Sequence, residues 1–411
     1  MRRRIVAGAV ALAALVGGGV TLSAATSDDP APRPKTPPAT ARAATPTPTA
    51  TATATAPVTP TATPTSSASA APALGSDQTA MRRRDRITGT ISPKSVVASP
   101  AGLVVAQNMM YTHTVTAYRP DGSLAATIKD SVDLADFGVT GHPGTSQGAP
   151  VEAAFTRDGK YAWVSNYSMY GKGFGPEGSD SCTPASGTER SFLYRVNTAT
   201  MAVDRAVQVG AVPKYVAVTP DNRTVLVTNW CTWDLSIVDA RTSKVTATLK
   251  LGRYPRGIAV SPDSRTAYIA LMGAQRVVKV DLRARRVSPF ASTGNGPRHI
   301  VISPDGRWLF VSNNASGTVT KVDARTGAVV RTVSTGAQPR SMAISRDGLA
   351  VYVVNYESSS VTKLRTSDLR QVDKQQTDYH PIGITYEPTT RSVWVACYGG
   401  SILVFDDTAP L

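Results

Sequence analysis

The chain has 411 residues, 41% hydrophobic and 6% aromatic, with 44 Lys plus Arg against 29 Asp plus Glu, a formal charge of +15. Three cysteines exclude a small disulfide scaffold and an all-cysteine zinc site, which needs four thiolates. The first 80 residues hold six basic and three acidic side chains, so most of the positive charge lies beyond them, where runs of Val, Ile, Tyr and Trp exclude wholesale disorder.

Met1-Arg2-Arg3-Arg4 is a cationic start, and residues 5–25 carry no charge and end in Ser23-Ala24-Ala25. This predicts, over residues 1–25, either a cleaved signal peptide or an uncleaved signal anchor long enough to cross a bilayer. No cysteine follows the apolar run, which argues against lipid attachment. Residues 26–80 are mainly Pro, Ala, Thr and Ser, with 11 of the 29 prolines between Pro30 and Pro72. Such a tract cannot bury a core and favours extended chain, so it predicts a linker that holds a domain off a membrane or across a wall. The expected location is extracytoplasmic, either secreted or tethered, with membrane contact only through the N-terminal segment.

Residues 81–411 read as one repeat. Pro213, Pro255, Pro297, Pro339 and Pro381 are spaced 42 residues apart, and Pro93 and Pro150 extend the series across two insertions. In the clearest unit, 296–335, the alternating runs 299–303, 308–313, 318–322 and 329–333 are separated by Ser303-Pro304-Asp305-Gly306, Asn314-Ala315-Ser316-Gly317 and a turn at 323–327. Four short β-branched runs joined by turn residues make a four-stranded meander, and seven of them predict an all-β, seven-bladed β-propeller of antiparallel blades. The last unit lacks a fourth strand. Residues 86–91, Arg-Ile-Thr-Gly-Thr-Ile, look like fourth-strand sequence, so they are expected to complete the last blade.

Ser303-Pro304-Asp305-Gly306-Arg307, Phe310-Val311-Ser312-Asn313, Thr318-Val319-Thr320-Lys321-Val322-Asp323, Val227-Thr228-Asn229 and Tyr352-Val353-Val354-Asn355 resemble the YVTN-type β-propeller family of exported bacterial and archaeal proteins. Leu271, Cys397 and Arg365 depart from the pattern. The resemblance implies seven blades, a cell-envelope setting and a first strand at the central channel. It implies no single activity.

With the first strand at the channel, the residue after each entry proline lies at its mouth. Lys94, Lys214, Arg256, Arg298 and Arg340 occupy five of those seven positions, with Val151 and Ile382 in the others. A ring of like charge in a concave site focuses positive potential on anions. Asn229, Asn313 and Asn355, with Asn108 and Asn166, end second strands on the same face, where they either bind a ligand or supply a left-handed turn. The insertions 129–149 and 167–190 also fall there, and loops on one face of a rigid scaffold carry function. Cys182 in the second insertion and Cys231 in the next blade are expected to form a disulfide, leaving Cys397 as a buried thiol.

Enzyme signals are sparse. His299 and His380 flank entry prolines and are the candidates for a general base or metal ligand; Asp130, Asp133 and Asp136 lack the rest of a calcium loop. The favoured function is a monomeric, non-enzymatic binding module for an anionic envelope polymer or partner protein, with no cofactor. The alternative is an extracellular lyase or lactone hydrolase that uses a channel-mouth histidine and a metal. The low aromatic content argues against specific nucleic-acid binding.

Overall fold

The computed structural model describes residues 73–411. The apolar run 5–25 and nearly all of the Pro/Ala/Thr/Ser tract lie outside the described residues. Among those described, no helix is long and apolar enough to cross a membrane.

Seven antiparallel sheets follow one another along the chain as the blades of a propeller. Blade five shows why the repeat folds this way. Its strands are Pro297–Ile302, Trp308–Asn313, Thr318–Asp323 and Val329–Ser334. The second strand is buried almost throughout, whereas the fourth is almost wholly exposed. Inner strands are covered on both faces by neighbouring blades, so they read as near-continuous apolar runs; the outermost strand meets water and alternates. Between the first two strands, Asp305 Oδ1 accepts the Arg307 N–H at 3.0 Å and Ser303 Oγ donates to the same carboxylate, with Gly306 at φ 73°. The same device recurs at Asp263 and Asp347. These aspartates are turn formers, on the side of the ring away from the loops that join second and third strands.

The core sits between blades. Trp163 and Leu193 of blade two, for example, pack with Val216, Val225, Val227 and Val238 of blade three. Blade two departs from the four-stranded expectation. The first insertion adds a short fifth strand, Ser131–Asp133, paired with the long first strand Thr145–Phe155.

The ring closes non-covalently. The closing strand is Thr79–Ile87, antiparallel to the last strand, Ser401–Pro410, with Ala80 opposite Ala409 and Ile87 opposite Ile402. This corrects the expected position, 86–91: the strand starts seven residues earlier and ends at Ile87. The reason is its place on the outer edge. Only Thr79 and Met81 are fully buried, Ala80 and Ile87 are partly so, and residues 82–86 are exposed, so charged side chains are tolerated there. At its head is a buried ionic knot. Lys363 Nζ donates to Asp407 and to the hydroxyl of Thr79, and Tyr352 OH donates to the other oxygen of Asp407. Lys363 and Asp407 side chains have no solvent exposure. Met81 N–H donates to Asp373 Oδ2 of blade six at 2.7 Å, so the closing strand also ties blade seven to its neighbour.

Candidate anion-binding cavity

First strands line the axis and start at the entry prolines. In five blades the preceding residue, Val212, Tyr254, Gly296, Gln338 or His380, takes a positive φ between 53° and 68°. Non-glycine residues rarely adopt that conformation, so each of these entries is a constrained turn. Beyond it, Lys94, Lys214, Arg256, Arg298 and Arg340 all line one cavity of about 710 Å³. All five charged positions of the sequence-derived ring therefore meet in a single space.

Their partners differ. Lys214 Nζ donates to Asp180 Oδ1 at 2.8 Å and lies 4.3 Å from the ring centre of Tyr167. Arg340 lies over Tyr356 at 3.4 Å from the ring centre. The Arg298 guanidinium has no hydrogen bond or ion pair to any described residue although the residue is only 9% exposed, and Arg256 has only a distant face of Trp230, 6.0 Å away. Desolvation, then the nearby Arg256 and Arg340 charges, hold Arg298 well below the usual arginine value. Desolvation and Arg340 bring Arg256 to about 10, and desolvation and Arg256 bring Lys214 to about 7. Burial first, and then repulsion among the cations, lowers all three, although Asp180 is bonded to Lys214.

The second insertion forms one side of the rim. Glu177 and Asp180 come from it, Trp230 Nε1 donates to the Asp180 carbonyl at 3.0 Å, and Tyr167 OH donates to the Gly178 carbonyl at 3.1 Å. The Cys182–Cys231 disulfide pins it, with Cα atoms 5.2 Å apart, and Cys397 is a buried thiol that burial pushes up to about 12. Trp230 stacks on Tyr254 at 4.4 Å, giving the cavity a flat aromatic wall. Because the bridge closes a 49-residue separation, Cys231→Ser should lower stability by about 2–4 kcal/mol in urea unfolding. A loss under about 0.5 kcal/mol would show that the aromatic stack alone holds the rim.

The asparagines are not at the site. Asn229, Asn313 and Asn355 have no exposure, and their amides donate to third-strand side chains of their own blade: Asn229 to Asp234 (2.8 Å) and Ser236 (2.9 Å), Asn313 to Thr320 (2.9 Å), Asn355 to Thr362 (3.0 Å). Their role as ligand groups is therefore corrected: they stitch second strand to third, and no donor is left to face the channel. The two histidines are also apart. His299 lies one layer further along the channel, its Nε2 2.8 Å from Tyr215 OH, and desolvation with Arg256 and Arg298 takes it down to about 3. His380 is stacked between Tyr379 and the cavity-lining Tyr356, 3.5 Å from Glu357. Asp130 is buried rather than solvated, Asp133 caps a short 3-10 turn, and among the described residues no three His, Cys, Asp or Glu side chains gather as metal ligands.

The layer containing His299 escaped the sequence reading. Second after each entry proline come Ser95, Glu152, Tyr215, Gly257, His299, Ser341 and Gly383. Most of them line a smaller cavity of about 210 Å³. A Cβ on Gly257 would lie 2.8 Å from the Cα of His299, and one on Gly383 2.7 Å from the Cα of Ser95, so these blades approach closely only because both residues lack a side chain.

A model of the lactonase, 7-bladed beta-propeller family matches residues 75–365. The chain belongs to that family. The YVTN-type likeness rests on the repeat motifs alone. No curated protein matches this lactonase-family chain. Among solved structures, Kuenenia stuttgartiensis hydrazine synthase is similar over 77% of this chain and 96% of its own, with a TM-score of 0.60 and 16% identity, a likeness of fold alone.

Proposed function

We propose that the protein binds a small, ring-bearing organic anion in the channel-mouth cavity and opens a lactone ring in it. One observation carries this reading: the buried Arg298 guanidinium, with Arg256 beside it, faces a cavity of about 710 Å³ without a protein counter-ion, in a chain of the lactonase family. That volume fits a small molecule rather than the polymer or protein partner expected from charge alone. The arginines hold the anionic group and the oxygen that becomes negative as the lactone carbonyl is attacked. Lys214, with its pKa near 7 and its position fixed by Asp180, exchanges a proton with water and ring oxygen near neutral pH. The aromatic pair Trp230–Tyr254 supports a flat ring. His299 and His380 do not converge and so do not share a ligand site. The disulfide supports an oxidising, extracytoplasmic setting.

The test is a panel of lactones of one ring size with and without a carboxylate or phosphate substituent. Acidic lactones should be opened with kcat/KM about tenfold higher or more, falling with added salt. The rate should rise with pH through about 7 as Lys214 loses its proton, and Lys214→Met should remove that rise. Equal turnover of neutral and acidic lactones, or no turnover with no anion binding by calorimetry, would overturn the proposal.

A further inference from the structure

The ring cations are not chemically equivalent. Lys214 has a carboxylate and Arg340 an aromatic face, but the Lys94 amine has no hydrogen bond, ion pair or aromatic ring among the described residues. It is half-buried at the head of the first strand of blade one, on the wall of the cavity that Arg256, Arg298, Arg340 and Lys214 share. Two carboxylates act near it. Asp180 is already bonded to Lys214. Glu152, one layer below, accepts from the Ser95 hydroxyl, and burial pushes its carboxyl above the usual value. An ammonium at Lys94 therefore faces four like charges with no carboxylate bonded to it.

We propose that Lys94 is an imine-forming nucleophile, and that the cavity accepts aldehydes or ketones that carry a carboxylate or phosphate. The inference rests on the anion-binding reading of the cavity and adds a covalent activity to it. Desolvation first, then Arg256, Arg298, Lys214 and Arg340, hold the amine well below the ordinary lysine value, which favours the uncharged, nucleophilic form. The guanidiniums of Arg256 and Arg298 hold the anionic substituent, and the substrate carbonyl is held within reach of Nζ. The Lys94 nitrogen bonds to the carbonyl carbon, and the carbonyl oxygen takes up a proton. The carbinolamine then loses that oxygen as water, the nitrogen giving up its second proton, which leaves a carbon–nitrogen double bond. No oxidant or reductant is consumed.

The probe is pyridoxal 5′-phosphate at substoichiometric amounts with the full-length protein, followed by borohydride, whose hydride adds to the imine carbon and fixes a stable mass on the lysine. Peptide mapping should find Lys94 labelled at least tenfold more than exposed lysines such as Lys172 and Lys244. Excess citrate, or use of pyridoxal without its phosphate, should cut the Lys94 label about tenfold. Label spread over exposed lysines with Lys94 untouched overturns the proposal, as does a Lys94 label indifferent to citrate and phosphate. A parallel citrate titration by calorimetry separates the two readings: citrate binding without Lys94 labelling removes the imine and leaves the anion cavity, whereas neither signal removes both. Lys94→Arg should lose the label and still bind citrate, which reports that the cavity has folded.

Discussion

Asp407→Ala is expected to lower the free energy of unfolding by about 3–5 kcal/mol, the usual cost of leaving a buried charge without its partner. Lys363 would then be buried with only the carbonyl and hydroxyl of Thr79 to hold it, and Tyr352 would lose its acceptor. At the specific entropies usual for globular proteins, the melting temperature of a domain this size should fall by roughly 4–8 °C. Asp406→Ala is the matched control one residue away. Its bond to Arg84 is a partly exposed ion pair, and such pairs contribute about 0–1 kcal/mol. The double change Lys363→Met with Asp407→Leu removes both charges and should recover most of the loss, since apolar replacement of a buried pair is often neutral. Urea unfolding of the three variants checks the whole scheme. Equal, small losses for Asp407→Ala and Asp406→Ala would mean that the closing strand is held by its ladder alone.

The second large effect is expected at the cavity. Arg256→Met with Arg298→Met should weaken citrate or acidic-lactone binding by about 10² to 10⁴-fold, taking roughly 1.5–3 kcal/mol for each charge-assisted hydrogen bond to the anion. The same variant should melt at a higher temperature than the parent, because two cations that repel each other in a partly dry site are gone. Anions should narrow that difference: citrate should raise the melting temperature of the parent and leave the variant unmoved. Loss of binding accompanied by loss of stability would instead mark the arginines as structural. Unchanged affinity would remove them from the site.

Much of this is legible in the chain itself. The 42-residue spacing of entry prolines sets the number of blades, and the residue after each proline names the five cations that share the cavity. Cys182 and Cys231 can be paired because the blade order makes their loops neighbours. The asparagines mislead, although a signal for their real role is present. Asn229, Asn313 and Asn355 are each followed, five and seven residues on, by Asp, Ser or Thr, the side chains that receive their amides across the hairpin. The closing strand is hard to place because an edge strand with one wet face carries little apolar pattern. Asp180 and Glu177 cannot be located from spacing, and although Glu152, Tyr215 and His299 each stand two after an entry proline, their mixed chemistry does not advertise a shared layer. An irregular loop has no period, and the channel layer emerges only when seven distant strands converge.

Joining Thr79–Ile87 to Ser401–Pro410 also constrains how the molecule is made. Ribosomes deliver the partner strand more than 300 residues after the strand it must find. Until then blade seven has an open edge, and the buried lysine of blade six waits for its carboxylate. During synthesis the half-made ring therefore exposes an unpaired strand, a hazard for aggregation. Circular permutants that bring the two strands onto one hairpin should fold faster, because the longest loop closure is then removed from the search.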